Sequence, residues 1–321
     1  ELVDICSREF IRPEYILSRT DRREKAIPCL TSLLSFAAES LPVEYLADLW
    51  FWVVDSLLFY GRYSRAEEVS SLAMRKCDRT FFNVGSVAKL QFAQGRTIFA
   101  LGEYGEAYRV LSGAAHLARG AELQDVAAEA AVWAGIALLR NDQGDEGYRA
   151  SQRVLARELL EELADHCHLA STRTLAGHVI RALDAELHGL QVETYVPDLP
   201  PNEPDTVRLW RMAGSQYLQN NQPDAAGALL RLAEDATARI WGRGHPEMAE
   251  TLACLSEAQM AMGDRAEAMR NAAAGLHIAF RKLGRKHSLT LRLMNVVGDE
   301  WPSISTAKYL DDDDEELAME A

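Results

Sequence analysis

Apolar residues recur at spacings of three and four along most of the chain, which is the period of an amphipathic helix. The clearest example runs through Leu46, Leu49, Trp50, Val53, Val54, Leu57 and Leu58. Residues 43–196 contain no proline, as is typical of helices joined by short connections. The alternation of Val, Ile and Thr that favours strands is scarce. We therefore predict an all-α fold.

A proline-rich segment interrupts this pattern between Val192 and Asp205. It holds four of the ten prolines, and we expect it to be extended and semi-rigid. The predicted organisation is an N-terminal helical block (1–190), a linker (191–206), a C-terminal helical block (207–298) and a disordered acidic tail (299–321). A helix over Pro28–Glu39 and another beyond His287 are expected to cap the two ends.

One residue frame recurs along the chain. Its first copy consists of Trp50, Val54, Leu57, Gly61, Ala66 and Ala73. Further copies begin at Gln91, Trp210 and Leu252, and a weaker copy begins at Trp133 and fails at Arg149. A period of about 42 residues indicates stacked supersecondary units, each of which cannot bury its apolar surface alone.

The frame describes an antiparallel pair of helices. Small residues are expected where the two helices cross, with Gly95 or Gly214 on the first helix and Ala107 or Ala226 on the second. The tryptophans at 50, 133 and 210 are expected to fill the space between successive hairpins. The loops within hairpins are predicted near Gly61, Gly102, Gly144, Asn221 and Gly263, because a helix C-terminus often takes a left-handed residue.

Two nearly identical loops join successive repeats in the C-terminal block. Gly242-Arg-Gly-His245 and Gly284-Arg-Lys-His287 are separated by one period of the frame. Pro246 follows the first of them and suits the first turn of a helix. These loops are therefore predicted to be repeat-to-repeat turns.

On these residues the chain resembles the tetratricopeptide repeat proteins over most of Leu46 to Met294. The long period and the G-x-G-H-P and L-G-R-K-H-S loops resemble the kinesin-light-chain variety. The last two repeats also resemble the C-terminal helical domain of SET-and-MYND lysine methyltransferases, whose catalytic motifs and zinc-binding cysteine clusters are absent here. The resemblance implies a right-handed superhelical solenoid of about five to six hairpins, with the first helices lining a concave groove.

The composition of the chain argues against several classes of function. The net charge of −14 argues against a general nucleic-acid binder. The five cysteines are scattered and contain no C-x-x-C pair, which favours reduced thiols in an intracellular protein. No apolar run approaches the length of a membrane span, and no signal peptide is visible. We expect a cytoplasmic protein, with the nucleus as the alternative. Because the chain begins at Glu1 rather than Met, we expect it to be a fragment or a processed form.

The residues Ala164 to Ala170 contain the cluster that comes nearest to a metal site, with Asp165, His166, Cys167 and His168. Neighbours on a helix point in different directions and rarely share one ion, and His178 or His188 would have to complete the set. Neither a phosphate-binding loop nor a nucleophile elbow is present. We therefore predict no metal, no cofactor and no catalytic residues.

The resemblance places groove residues two before each anchor and one, five and eight after it. In the third repeat these positions are Ala131, Ala134, Leu138 and Asn141. The predicted partner-binding residues are Phe51, Asp55, Lys89, Phe92, Arg96, Phe99, Asn141, Arg208, Arg211 and Glu257. Paired cations beside exposed phenylalanines suit a peptide with acidic and apolar side chains.

The sequence thus predicts a non-catalytic scaffold that binds a peptide or partner helix, without nucleic acid or membrane insertion. Three alternatives remain open: the sensor region of a larger signalling ATPase, the substrate-side domain of a methyltransferase, and an enzyme of a type that no motif here identifies. The segment Asp311–Glu316 consists of six consecutive acidic residues, whereas the segment Arg239–Arg292 has a net charge of +4. The tail is therefore expected to solubilise the protein, to lie across this basic repeat, or to compete with an acidic partner for the groove.

Overall fold

The structure, a computed structural model, describes residues 43–77, 83–141, 145–164, 167–168, 170–188 and 203–298. Its regular secondary structure over these residues consists of α-helices without a β-strand. The described helices are α1 (Val43–Phe59), α2 (Tyr63–Cys77), α3 (Val84–Ala100), α4 (Tyr104–Gly120), α5 (Gln124–Arg140), α6 (Glu146–Ala164), α7 (Ala170–His188), α8 (Pro204–Gln219), α9 (Pro223–Ile240), α10 (Pro246–Met262), α11 (Arg265–Leu283) and α12 (Ser288–Val297).

The chain divides into two compact units, Glu1–Leu183 and Asp184–Ala321, and the division falls within α7. Unit 1 contains the hairpins α1–α2, α3–α4 and α5–α6, and unit 2 contains α8–α9 and α10–α11, followed by α12. Within each unit, helices pack against their neighbours in chain order, and the first helix of one hairpin contacts the first helix of the next. The predicted all-α solenoid is therefore confirmed within each unit.

Several predicted features lie outside the described residues. These are the capping helix over Pro28–Glu39, the loop at Gly144, the proline-rich residues 189–202 and the acidic tail. The predicted boundaries between blocks therefore stay predictions. The helix expected beyond His287 is present as α12.

The small residues of the frame lie at helix crossings, as predicted. A β-carbon on Gly95 would come within 2.6 Å of the Leu111 side chain, and one on Gly214 within 2.8 Å of Leu230. The two leucines occupy the same position of the frame, so both hairpins close in the same register. Ala107 and Ala226 are fully buried on the second helices. The close packing of backbone against side chain explains why larger residues do not occupy these positions.

The turns within hairpins also follow the prediction. Gly61, Gly102 and Gly263 have positive φ angles of 68°, 84° and 83°, and Asn221 has 56°. Glycine avoids the steric cost of this left-handed conformation, and asparagine tolerates it. Glu122, between α4 and α5, also has a positive φ of 60°, which was not predicted.

The two similar loops are confirmed as turns between successive hairpins, and their histidines start the next helices. Nδ1 of His245 accepts a hydrogen bond from the Glu247 N–H at 3.1 Å, and Nδ1 of His287 accepts one from the Leu289 N–H at 3.1 Å. Each ring therefore caps the unsatisfied amides at a helix N-terminus. Gly242 and Gly284 take the positive φ angles that let the chain turn.

The tryptophans behave differently from one another. Trp133 meets Phe99 of the preceding hairpin edge-on, with ring centroids 5.0 Å apart, as expected for a residue between hairpins. Trp210 instead packs inside its own hairpin, in a cluster with Val207 and Ala233. The expectation for Trp210 was therefore wrong, because its side chain points towards α9. Trp50 is buried, with 1% of its surface exposed.

Candidate partner-binding surface

The predicted groove residues of unit 1 lie on two successive first helices, with Asn141 at the end of a third. Phe51 and Asp55 are on α1, and the lysine, arginine and phenylalanines at 89, 92, 96 and 99 are on α3. Asn141 directly follows α5, and its amide packs over the start of α4, 3.4 Å from the position of a β-carbon on Gly105. The structure thus brings the predicted residues of α1 and α3 together.

The cations of α3 form ion pairs with carboxylates of α1. Nζ of Lys89 lies 2.6 Å from Oδ1 of Asp48, and Nη1 of Arg96 lies 2.5 Å from Oδ1 of Asp55. Both pairs join residues 41 positions apart, so each joins the same frame position in adjacent repeats. The interactions therefore repeat with the period of the sequence, and the cations stabilise the stack of hairpins.

The last repeat of unit 2 contains the same kind of pairing. Arg292 of α12 donates two hydrogen bonds to Glu257, each 2.7 Å long, and one of 3.2 Å to Glu250. Burial opposes the charge of Arg292, but the Cys254 sulfur and the two carboxylates raise the pKa of its guanidinium. Arg292 was not among the predicted residues, although it occupies the frame position of Glu250 one repeat later, which was a signal that could have identified it.

A buried ion pair joins α8 to α10. Nη2 of Arg211 lies 2.5 Å from Oε2 of Glu247, and the exposed fractions of the two side chains are 6% and 18%. Burial alone would raise the pKa of Glu247, but the charges of Arg211, Arg208 and His245 lower it to about 2. Both side chains therefore stay charged at neutral pH, and the pair serves the packing of unit 2.

Arg208 sits at the edge of this buried pair. It is paired with Asp205 of its own helix at 2.6 Å. Its guanidinium also lies 6.0 Å from the centre of the Trp241 ring, which stacks on His245. All four predicted groove cations thus already have carboxylate partners within the chain, so the free cations expected for an acidic ligand are not available.

The aromatic residues divide into a buried and a half-exposed set. Phe92 is buried, with 1% exposed, so the expectation that it is a surface residue was wrong. It lies under Phe51, with ring centroids 6.0 Å apart, and supports that half-exposed ring from below. Ala131, Ala134 and Leu138 are also buried, so three of the four groove positions of the third repeat belong to the core.

Half-exposed aromatic rings and two arginines form a continuous set on unit 1. Arg96 lies 5.4 Å from the centre of the Trp133 ring, and Arg140 lies 5.6 Å from that of Phe99 and 6.0 Å from that of Tyr104. Cation–π contacts of this kind hold both partners in place. We name Phe51, Phe99, Tyr104 and Trp133, with Arg96 and Arg140, the aromatic patch. Tyr104, Trp133 and Arg140 were not predicted as binding residues, because the assumed groove positions omit them.

Carboxylates are the outer members of the ion pairs beside this patch. The side chain of Asp48 is 47% exposed against 30% for Lys89, and that of Asp55 is 42% exposed against 17% for Arg96. An approaching molecule therefore meets oxygen atoms before it meets the cations. This electrostatic surface favours basic over acidic ligands.

The cluster that comes nearest to a metal site in the sequence, Asp165 to His168, is described only in part by the structure. Cys167 and His168 are described, whereas Asp165 and His166 lie outside the described residues. The His168 backbone N–H donates a 2.9 Å hydrogen bond to Asp125, and Cys167 Sγ lies 3.6 Å from the same carboxylate. In the described residues, no group of three or more His, Cys, Asp or Glu side chains is arranged to hold a metal ion. None of the twelve described helices combines the length and apolar character that a bilayer crossing requires.

Comparison with known proteins gives a structural similarity at low sequence identity. No protein-family model and no curated protein matches the chain. Among solved structures, the chain is similar to BtubC (BKLC) from P. vanneervenii, at 12% sequence identity and a TM-score of 0.38. The alignment covers 83% of this chain and 92% of that one.

Proposed function

We propose that the chain is a non-catalytic protein-interaction scaffold that binds a peptide or a partner helix on the aromatic patch of unit 1. The observation that carries this proposal is the set of half-exposed aromatic rings fixed by arginines. Aromatic side chains supply a large contact area, and rings that are already held in place lose little conformational entropy on binding. The patch thus has the properties of a preorganised interaction surface.

The partner is proposed to carry apolar and basic side chains. The apolar groups would pack on Phe51, Phe99 and Trp133, and the basic groups would approach the outer oxygens of Asp48 and Asp55. The chain's net charge of −14 would attract such a partner over longer distances. This replaces the acidic partner that the sequence suggested, because the cations on which that expectation depended are paired within the chain.

We also propose that the hairpins are tetratricopeptide-type repeats of the long, kinesin-light-chain-like variety. The 41-residue spacing of the two ion pairs, the glycine turns and the histidine-capped loops support this interpretation. The alternatives of an ATPase sensor region and a methyltransferase domain stay predictions.

The experiment is a selection of binders from a displayed library of random 12-residue peptides, with the full chain as bait. Selected peptides are synthesised and their affinity is measured by fluorescence anisotropy. We expect peptides enriched in Leu, Phe, Arg and Lys, and we expect Phe51→Gln/Phe99→Gln to weaken their binding at least tenfold. Circular dichroism verifies that the variant keeps its helix content.

A matched control comes from α6 of the same unit. Tyr148 and Leu155 are more exposed than the patch residues, with 58% and 60% of their surfaces accessible, but lie outside the aromatic patch. Tyr148→Gln/Leu155→Gln should leave the affinity within twofold of the parent value. If the control variant loses binding and the patch variant keeps it, the binding surface is wrongly placed. If the selected peptides are predominantly acidic, the proposed partner chemistry is wrong.

A further inference from the structure

A row of exposed cations follows the ends of the second helices in unit 2. Arg239 and Arg281 occupy the last turns of α9 and α11, and Arg243 and Arg285 occupy the loops that follow, at matching positions of successive repeats. Lys282 and Lys286 add two more charges to the second of these turns. We name these six exposed residues the basic ridge: Arg239, Arg243, Arg281, Lys282, Arg285 and Lys286.

The basic ridge differs from the other arginine and lysine clusters in its pairing. In the part of the chain that the structure describes, none of its six residues forms a salt bridge, whereas the predicted groove cations all do. Burial, and to a lesser extent the nearby charge of Arg281, lower the pKa of His277. Arg243 interacts electrostatically with Glu234, but like charges gathered on one edge still repel one another, so an anionic group placed there would be stabilised.

The helix dipole explains the positions of some of the ridge cations. Cations in the last turn of a helix interact favourably with the carbonyl end of the helix dipole, and this accounts for Arg239, Arg281 and Lys282. The three residues at 243, 285 and 286 lie beyond the helix ends, where this effect has faded. Their repetition in both turns therefore requires another explanation.

We propose that the basic ridge binds the chain's own acidic segment, Asp311–Glu316. The segment carries six carboxylates, which equals the number of cations on the ridge. Next to the ridge, Phe280 is 46% exposed, and the acidic run is followed by Leu317, Ala318 and Met319, which can supply apolar contacts. Both charge and apolar character are thus complementary.

The chain is long enough for this contact. The ten-residue helix α12 separates Lys286 from Gly298, and spans about 15 Å at the rise of an α-helix. The twelve residues between Gly298 and Asp311 can extend over roughly 40 Å. The acidic segment can therefore reach every residue of the ridge, and its attachment to the same chain gives it an effective concentration of about a millimolar.

The test uses zero-length carbodiimide crosslinking of the full chain, followed by mass spectrometry. This reagent joins lysine amines to carboxylates in contact, and Lys282 and Lys286 supply two amines on the ridge. At about 20 mM salt, we expect products that join these lysines to Asp311–Glu316, and we expect their loss at about 0.5 M salt, where screening acts over a few ångströms. The Lys89–Asp48 pair serves as an internal positive control for the reaction.

One variant and one reference amine separate charge attraction from accidental proximity. Arg281→Gln/Arg285→Gln keeps both lysines, and should reduce the yield of tail products at least threefold without changing the Lys89–Asp48 product. Lys76 on α2 serves as an amine outside the ridge. Equal tail products at Lys76 and the ridge, or none at the ridge while Lys89–Asp48 forms, would overturn the proposal. In a mixture of ¹⁴N- and ¹⁵N-labelled chains, products of mixed isotope composition would show contact between copies, which would overturn the intrachain version.

Discussion

The first-helix ion pairs and the basic ridge carry the same residue types but use them differently. On the first helices, Lys89, Arg96 and Arg292 pair with carboxylates one repeat earlier, so their charges hold adjacent hairpins together. On the ridge, six cations, four of them at equivalent positions in successive turns, form no salt bridge with any described residue. Where adjacent repeats carry opposite charges at the same frame position, the two side chains form a structural ion pair. Where adjacent repeats carry like charges at the same position, the side chains leave a charged surface that is available to a ligand. The position in the frame, rather than the residue type, therefore separates the structural from the available charges.

The largest expected effect follows the removal of Arg211. Arg211→Ala leaves the buried Glu247 carboxylate without its main partner, and such a loss costs about 3–5 kcal/mol of unfolding free energy. Urea unfolding followed by circular dichroism measures the change. Arg119→Ala, which removes an exposed pair with Glu162, provides the contrast and should cost at most about 1 kcal/mol. Equal losses in the two variants would contradict the distinction between buried and exposed pairs.

The same pair predicts the response to acid. The pKa of Glu247 falls from 4.5 to about 2 on folding, so its contribution to stability is fully present above the unfolded value. This contribution amounts to about 3 kcal/mol and is lost as the pH falls from about 5 towards 2. Glu247→Gln should be less stable than the parent at pH 7 but lose less stability on acidification, as urea unfolding at a series of pH values would show. Parallel pH curves for the two proteins would argue against the lowered pKa.

Substitutions of the capping histidines, His245 and His287, test how much these caps contribute to stability in the turns beside the basic ridge. His245→Ala and His287→Ala each remove the side-chain acceptor at a helix N-terminus, at a cost of about 1 kcal/mol. Asparagine at the same positions should restore much of the stability, because it is a good N-cap residue. His116→Ala, at an exposed position on α4, is the control and should change stability by less than about 0.5 kcal/mol. A failure of asparagine to recover stability would indicate that ring packing, such as the stack of Trp241 on His245, dominates over capping.

A smaller effect is expected for the first-helix pairs. A double-mutant cycle with Arg96→Ala and Asp55→Ala should give a coupling of about 0.5–1 kcal/mol, because both groups are partly exposed. The same cycle on Arg281 and Asp235, which are not paired, should give no coupling. A coupling near zero for Arg96 and Asp55 would leave Arg96 available to a ligand and would revive the acidic partner.

The smallest effect concerns the ridge itself. Single substitutions of Arg243, Arg285 or Lys286 by Gln should change the unfolding free energy by less than about 0.5 kcal/mol, because these side chains are exposed and form no salt bridge among the described residues. The measurement is urea unfolding at low and high salt. A destabilisation above about 1 kcal/mol would mean that the ridge has a structural role like that of the first-helix pairs.

Much of the fold could be predicted from the sequence because it depends on local steric rules. The repeat period, the crossings at Gly95 and Gly214 and the left-handed turns each require a small or permissive residue, and such residues are visible in the sequence. Burial was harder to predict. Phe92 was misplaced because a small rotation of a helix about its axis moves a side chain from the surface into the core. Trp210 was expected between hairpins and instead packs with residues of its own hairpin.

The candidate site was predictable only in outline. Asp48 and Lys89 occupy the same frame position with opposite charges, so their pairing could have been deduced from the repeat itself. The position of Trp133 between hairpins was predicted, but Arg140 could not have been assigned to the aromatic patch, because its contact with α3 depends on side-chain directions across a hairpin boundary. The role of the proline-rich segment lies outside the described residues.

The central claim, that the aromatic patch of unit 1 is the partner-binding surface, can be tested by amide hydrogen exchange. The full chain is measured with and without a saturating peptide from the selection described above. We expect slower exchange in α1, α3, the start of α4 and the C-terminal half of α5, with the turns after α9 and α11 unchanged. Protection confined to those turns would contradict it, and would show that the basic ridge is the surface on which partners bind.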